Sequence, residues 1–402
     1  MFATTRQLDF VVDLNDVARG DGFLFVRDGV GIAGRGVALR TTESLVIEAL
    51  ANVVQVGSQT PDPIAIGVIP FLKSDESYFV IPKIIVRKQS TGHNTLTIVA
   101  LSEIECSEQH VQQAIDDLLK VQVLVPSANS FTISPITPIS TYLGAVTAAR
   151  DAVRSGVLVK AVIARDILVS SDTEIDVHKL LLRLRSTFGS SYRYSIDGFI
   201  GASPELLVAV DNLTVTSHPL AGTTSRTGDP ITDSKLAADL QASDKNQIEH
   251  RVVVDMVHDT LLPYCSFLDW QPEPGVVSVA NVQHLGTAVV GQLNKPATHV
   301  LTLARALCPT PALGGYPSAE AIEFITAVEG MSRGNYGGAV GWIDSLGNGT
   351  WAVAIRCAQL SKDKKSARLL AGGGIVAKSE PEAELAETQA KFQAMLSAII
   401  RP

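Results

Sequence analysis

Strand-length apolar runs follow one another along this chain, broken by turns and occasional helices, without the regular strand-helix alternation of a parallel sheet. "FLFVRDGVGIAGRGVALR" (23–40) has the form of a hairpin, "ESLVIEALANVVQV" (43–56) of a helix, and "IAIGVIPFL" and "YFVIPKIIVRK" of strands. Further on, the helix "TYLGAVTAARDAVRSG" precedes the strand "VLVKAVIARDILV". Strands "YRYSIDGFIGAS" and "ELLVAVDNLTVTSHP" then lead to the long helix "SDKNQIEHRVVVDMVHDTLLPYC", and "GAVGWIDSLGNGTWAVAIRCAQL" is a second hairpin. The fold class expected is α+β, with long antiparallel sheets and helices outside them. "PSANSFTISPITPIS" (126–140), rich in Ser, Thr and Pro, is the best linker candidate, between a sheet-rich part (1–130) and the remainder (140–402).

With 402 residues, 46% of them hydrophobic, the chain can bury a sizeable core in one large domain or two ordinary ones. A formal net charge of -8 without a dense Lys/Arg block argues against a nucleic-acid or anionic-membrane surface, while leaving room for a local basic pocket that takes a small acid. Cys106, Cys265, Cys308 and Cys357 lie far apart and form no C-x-x-C pair, as expected of reduced thiols in a cytosol. The start, "MFATTRQLDFVVDLND", has no basic stretch followed by an apolar core, and no apolar run approaches the span of a bilayer; a cytoplasmic, non-membrane protein is expected.

Five places look chemical. In "VLVKAVIARDILV" strict alternation puts Lys160 on one face with Leu158, Val162 and Leu168, an odd neighbourhood for an ammonium. A lysine held there serves as a general base near neutral pH, or snorkels to water from an edge strand; the pattern admits both. In "TWAVAIRCAQL" Arg356 shares a face with Ala352, Ala354 and Ala358, opposite Trp351, Val353, Ile355 and Cys357. The small neighbours leave space in which a guanidinium captures a carboxylate through two hydrogen bonds, or pairs with a structural acid. "SPELLVAV" starts a strand with Glu205, and "HPLAGTTSR" ends one in a turn where the Gly222 amide and Thr223 hydroxyl can face a ligand.

In "KNQIEHRVVVDMV" Glu249 lies early in a helix whose apolar positions include Ile248, Val252 and Met256; the adjacent His250 is a weak sign of a transition metal and more simply a packed side chain. Lastly, "KSEPEAELAETQAKFQAML" (378–396) follows directly on "AGGGIV" (371–376). Leu385, Phe392, Met395, Leu396 and Ile399 form its apolar arc, with Glu380, Glu384, Glu387 and Lys391 along the edge. Pro381 suits the first helical position, and Glu387 with Lys391 makes an i,i+4 pair, so a solvated surface helix is one reading. Carboxylates from two helices, Glu249 and Glu384 or Glu387, would instead suit an oxygen-only magnesium site.

The ordered set "VKAVIAR", "GASPELL", "PLAGTTSR", "KNQIEH", "VQHLGT", "PTPALGGYP", "RGNYGGAVGWID", "WAVAIRCA", "AGGGIV" and "ELAETQAK" resembles the chorismate-utilising enzymes, most closely the isochorismate synthases, from about residue 140 to the C-terminus. "PTPALGGYP" in particular is similar to the isochorismate synthases and unlike the salicylate and anthranilate synthases. The resemblance implies one domain over 1–402, with two large antiparallel sheets packed face to face and helices outside, working as a monomer on the small molecule chorismate. It implies a reversible, Mg2+-dependent reaction in which water adds at ring carbon 2 and the hydroxyl leaves from carbon 4. By motif position, Lys160 matches the base that activates water and Glu205 the acid that protonates the departing hydroxyl. Glu249 and Glu387 match the magnesium ligands, with Glu384 reaching the ion through water. Tyr336 and Arg356 match the pair that holds the enolpyruvyl carboxylate, and Gly222, Thr223, His284 and Lys391 other substrate contacts. The glycines, Gly372 and Gly373 foremost, would let backbone amides approach a substrate carboxylate. Asn246 departs from the pattern, standing where an acidic residue serves the metal's water shell. Other enzymes draw the product of such a reaction into menaquinone, catecholate siderophores or salicylate. Three alternatives remain at this level: a salicylate synthase, an ammonia-using anthranilate or aminodeoxychorismate synthase with a glutaminase partner, which Lys160 argues against, and a chorismate-binding regulatory module without turnover.

Overall fold

Two Asp-Gly pairs set the first hairpins. Asp28 and Gly29 both take positive φ (50° and 77°), as do Asp197 and Gly198 (48° and 79°), the combination that a two-residue hairpin turn requires. They fold Phe23–Arg27 onto Val30–Arg35 and Tyr192–Ile196 onto Phe199–Ser203, and the two hairpins join through Tyr194 opposite Phe25. In this computed structural model, residues 1–60, 62–120, 129–279 and 282–401 are described.

Among the described residues the strands form a 13-stranded sheet, a 9-stranded sheet and a 3-stranded sheet. The pairings are antiparallel except that of Phe2–Leu8 with Val54–Gln55. Alternation along the first sheet explains its two covered faces. Phe25, Ile32, Tyr194 and Phe199 pack against Ile66, Val68, Phe79 and Trp351 of the second sheet. Leu24, Val26, Ile200 and Ala202 point the other way, onto Leu180, Leu181 and Leu184 of the helix Val177–Phe188 and onto Phe392, Met395, Leu396 and Ile399 of the helix Pro381–Ile400. The expected α+β architecture is observed: two large sheets face to face, with helices outside. Both sheets run through the N-terminal part of the chain, since Ala339–Asp344 pairs with Ile64–Ile69 in the second as Tyr192–Ile196 does with Phe23–Arg27 in the first. No helix is long and apolar enough to cross a membrane among the described residues.

Several local expectations change. "YFVIPKIIVRK" is two strands in different sheets, Tyr78–Ile81 and Ile84–Lys88, because the chain turns at Pro82. Of the linker candidate, 126–128 lie outside the described residues, and Phe131–Pro135 is a strand paired with Lys160–Ser171. The helix expected over 43–56 is Glu43–Ala51, followed by the short strand Val54–Gln55.

Trp351 is fully buried between the sheets, edge-on to Phe79 with ring centroids 5.9 Å apart. Trp351→Ala should destabilise the protein by about 3–5 kcal/mol in urea unfolding, from lost transfer energy plus the cavity left behind; a loss below about 1 kcal/mol would mean that the sheets do not meet there.

Candidate active site

The site grows from two places where the chain passes from one large sheet to the other. Phe199–Ser203 belongs to the first and Leu206–Asp211 to the second, with Pro204 and Glu205 in the passage. Gly349–Val353 and Cys357–Leu360 make the opposite passage through Ala354, Ile355 and Arg356. The passages lie side by side: Val353 N donates to Glu205 O at 3.1 Å and Ala202 N to Arg356 O at 3.1 Å. Arg356 is therefore outside the pleat, with a φ of +49°, and the face assigned to it by alternation does not exist. Ala352 and Ala354 pack in the inter-sheet core and Ala358 on the helix side.

A cavity of about 1120 Å³, counting its mouth, opens beside these passages. It is lined by Lys160, Glu205, Gly222, Thr223, Glu249 and His284, and also by Tyr336, Arg356, Gly372, Glu384, Glu387 and Lys391. Sequence reasoning thus named side chains from many separate elements that the fold brings to one space; Gly373 is the exception, absent from the lining. It missed the cavity-lining Lys245 and Ile355, and it left Ala312 and Leu313 of the "PTPALGGYP" stretch without a role. Only the position of Lys245 beside Asn246 at the start of the helix Asp244–Leu261 hinted at it.

Lys160 opens the strand Lys160–Ser171, 5% exposed, its Nζ 2.6 Å from Glu249 Oε1. It shares the cavity with Val162. Leu158, expected on the same face, packs instead with Ala161 and Ile163, because the strand begins at Lys160 and alternation does not extend back to it. Glu249 is half-buried, and its loss of solvent raises its carboxyl, yet Lys160 first and Lys245 and Lys391 after it hold it below the ordinary value. Its helix buries His250, Val253, Val254, Val257 and Leu261, whereas Ile248 is 66% exposed, so the apolar stripe lies one step round from the expected one. His250 is a packed side chain bonded to Thr287 Oγ1 at 2.7 Å.

Glu205 is 3% exposed. Burial pushes its carboxyl up to about 8 despite the Leu220 amide, Lys160 and Arg356, so it holds a proton at neutral pH. Arg356 is lowered to about 10 by burial. It donates from Nη2 to His284 Nε2 at 2.8 Å; a guanidinium cannot accept, so the His284 proton sits on Nδ1, 3.0 Å from Thr223 Oγ1. Burial and the Arg356 and Lys391 charges push His284 down to about 3, leaving it neutral. Arg356 Nη1 is buried with no partner, and no carboxylate pairs with Arg356 among the described residues. Of its two readings, an open carboxylate receptor is the one that fits.

On the helix Pro381–Ile400, with Pro381 at its first turn as expected, Glu384, Glu387 and Lys391 line the cavity, while Glu380 turns away to Arg150. Lys391 Nζ pairs with Glu387 Oε1 at 2.7 Å and donates to Gly372 O at 2.7 Å. Glu384 accepts from Ser379 Oγ at 2.7 Å; burial raises its carboxyl, and the Glu387 charge adds to that. No three His, Cys, Asp or Glu side chains converge on one point among the described residues, because Glu249, Glu384 and Glu387 each turn to a partner of their own. The glycines clear space for side chains. A Cβ on Gly374 would lie 2.6 Å from Lys160 Cε, one on Gly373 2.8 Å from Glu384 Oε2, and one on Gly372 3.2 Å from the Tyr336 hydroxyl.

The profile of the family described as "Chorismate binding enzyme" matches residues 41–400, reaching further toward the N-terminus than the quoted motifs. Isochorismate synthase DhbC of Bacillus subtilis is 33% identical over 372 residues, covering 90% of this chain and 86% of its own. Isochorismate synthase EntC of Escherichia coli K12 is 33% identical over 346 residues, covering 84% of this chain and 81% of its own. The structure of MenF, the menaquinone-specific isochorismate synthase of Escherichia coli, superposes with a TM-score of 0.85 over 99% of this chain and 94% of its own at 24% identity, a likeness of fold. The chain belongs to the chorismate-binding enzyme family.

Proposed function

We propose that the protein is an isochorismate synthase, an isomerase that adds water at ring carbon 2 of chorismate and releases the carbon 4 hydroxyl. The observation that carries this reading is a neutral Glu205 and the amine of Lys160 lining one cavity beside an arginine with an unmatched Nη1. A hydroxyl leaves as water only if an acid gives it a proton, and a water attacks only if a base removes one. Glu205 holds the proton to give. Lys160 is the base, with Glu249 as the partner it must release. Arg356 and Tyr336 hold the enolpyruvyl carboxylate, Arg356 being steered by neutral His284 and, through it, by Thr223. Every group invoked comes from one chain, so a monomer suffices.

The donor set fits a hard divalent ion. Glu249, Glu384 and Glu387 are oxygen donors on one cavity, and Glu384 is held up by burial and by its neighbour's charge, which a cation would relieve. Glu249 and Glu387, with Glu384 through water, would hold magnesium, which would supply positive charge for the ring carboxylate; Glu249 engaged there would leave Lys160 free. The same residues would serve a salicylate synthase; the named relatives favour the isomerase.

Incubation of the protein with chorismate and Mg2+, followed by chromatography, should yield isochorismate; salicylate with pyruvate, or no turnover, would refute the proposal. Lys160→Ala should lower kcat by about 10²–10⁴-fold while chorismate binding stays measurable; near-parent turnover would unseat Lys160 as the base. Asn246 lines the cavity, and Asn246→Asp, by adding charge worth about 1 kcal/mol, should tighten Mg2+ in calorimetric titration; weaker binding would contradict its place in the metal's surroundings.

Glu205 also makes a stability prediction. Below pH 4.5 the folded and unfolded chains both hold its proton; between 4.5 and about 8 the unfolded chain has lost it and the folded chain keeps it. Stability from this group therefore falls as pH rises through that window. Glu205→Gln, which cannot titrate, should gain on the parent in urea unfolding between pH 5 and pH 8; a constant difference would mean that Glu205 is ionised in the folded state.

A further inference from the structure

The strand that begins with Lys160 has an interrupted outer edge. Along one side it pairs without a break with Ser366–Ile375, from Ala161 opposite Ile375 to Ser170 opposite Ser366. Along the other, Gly315–Tyr316 covers Lys160 and Ala161, and Phe131–Pro135 covers Ile167 to Ser171. Between them, Val162 and Ala164 present backbone groups to an edge with no strand, and buried backbone groups must find partners.

Val162 N donates to Gly314 O at 3.0 Å, and two buried charges supply partners for Val162 O and Ala164 N. Glu329 and Arg333 are 3% and 5% exposed. Glu329 Oε1 accepts from Ala164 N at 2.7 Å, and Arg333 Nη2 donates to Val162 O at 2.6 Å. Arg333 Nε donates to Glu329 Oε2 at 2.9 Å, Nη2 also pairs with Glu329 Oε1, and Nη1 donates to Leu313 O at 2.8 Å. The guanidinium lies over the Phe71 ring at 4.3 Å, and Arg333 O accepts from Tyr336 N at 3.1 Å. Three of these ties lead to the cavity, because Val162, Leu313 and Tyr336 line it, and Lys160 is two residues from Val162.

We propose that Glu329 and Arg333 are positioning residues, a side-chain pair that stands in for the missing strand and locks the Lys160 strand, the Ala312–Leu313 loop and Tyr336 into one register around the cavity. The inference rests on the isochorismate synthase reading for its kinetic consequence only. A bare structural ion pair would be replaceable by any arrangement of equal stability. This one has a geometric task that only a planar fork with several donors can perform.

The same strand carries a built-in control. Asp166, 1% exposed in its side chain, pairs with Arg368 at 2.7 Å and accepts from Thr137 N at 2.9 Å, and neither Asp166 nor Arg368 lines the cavity. Arg333→Lys and Glu329→Gln should lower kcat for chorismate by about 10- to 100-fold, with KM within about threefold. Arg368→Lys, at a similar loss in thermal midpoint, should keep kcat within about twofold. Equal loss of turnover in Arg333→Lys and Arg368→Lys, or parent kcat in Arg333→Lys, would overturn the proposal. Hydrogen exchange on the unaltered protein tests the lock without substrate or a variant: the Ala164 amide should exchange as slowly as that of Ile163, which pairs with Gly373. Rapid exchange at Ala164, as at an open edge, would overturn it. Slow exchange in a protein that leaves chorismate untouched would remove only the proposed activity.

Discussion

The hydrogen bonds from Val353 N to Glu205 O and from Ala202 N to Arg356 O hold two sheet-to-sheet passages against each other, and the site depends on that junction. A residue within a pleated strand must point to one face or the other. A residue in a passage between stacked sheets is released from that choice, and corners of this kind arise where strands bend to change sheet. Glu205 and Arg356 use this release in the same way: Glu205 is buried and Arg356 half-buried at the margin of the inter-sheet core, and both face the cavity. Arg356 takes a left-handed backbone to do so, a conformation that costs a non-glycine residue about 1–3 kcal/mol. The large apolar core that both sheets share is what over-determines it.

Burial then sorts the charges. Burial holds the proton on Glu205 against the nearby Lys160 and Arg356 charges, whereas Glu249, half-buried, lies directly against Lys160 and is ionised. Two glutamates in one cavity thus come to opposite protonation states through their surroundings, which is the division of labour that acid-base chemistry needs. Two of the three cavity lysines are matched singly, Lys160 to Glu249 and Lys391 to Glu387, and Arg356 is left with a neutral histidine as its only side-chain partner among the described residues. In the proposed reaction a dianion would be held beside a divalent cation, a combination without net charge. A cavity already close to balance accepts such a pair more readily than either ion alone, since an isolated charge in a low-dielectric site is costly.

The architecture was legible because its signals are local. Asp-Gly turns, alternating runs and helix starts act over a few residues, and the helix at 381–400 begins and buries its arc as its pattern indicates. The side chains of the site were legible as an ordered set of motifs, and their local placement was not. Alternation misplaced Leu158 and Arg356 because strand ends and passages lie outside any period. The apolar stripe of the helix at 244–261 was misread because that helix packs through His250 as well as its valines. Glu329 and Arg333 were not singled out at all. Their function is to satisfy backbone groups of a strand more than 160 residues away, and nothing within their own segment marks a gap in another strand's edge.

The glycine run at 372–374 shows why such long-range relations escape a reading of one segment at a time. Glycine weakens a strand by roughly 0.5–1 kcal/mol relative to alanine, yet three stand in succession in the ladder with Lys160–Ser171, at the end where Lys160 lies. Successive residues face opposite sides. Gly372 and Gly374 clear the cavity side, beneath Tyr336 and Lys160, and Gly373 clears the other, where Glu384 comes within 2.8 Å of the place a Cβ would occupy. The expectation for these glycines is that backbone amides approach a substrate carboxylate; the structure shows in addition that they make room for the protein's own side chains. The absence of three Cβ atoms lets Lys160 reach Glu249 and lets the glutamates of the last helix come close. Carboxylates on separate helices thereby come to line one space, and that is the requirement a divalent ion places on a chain that keeps its acids so far apart in sequence.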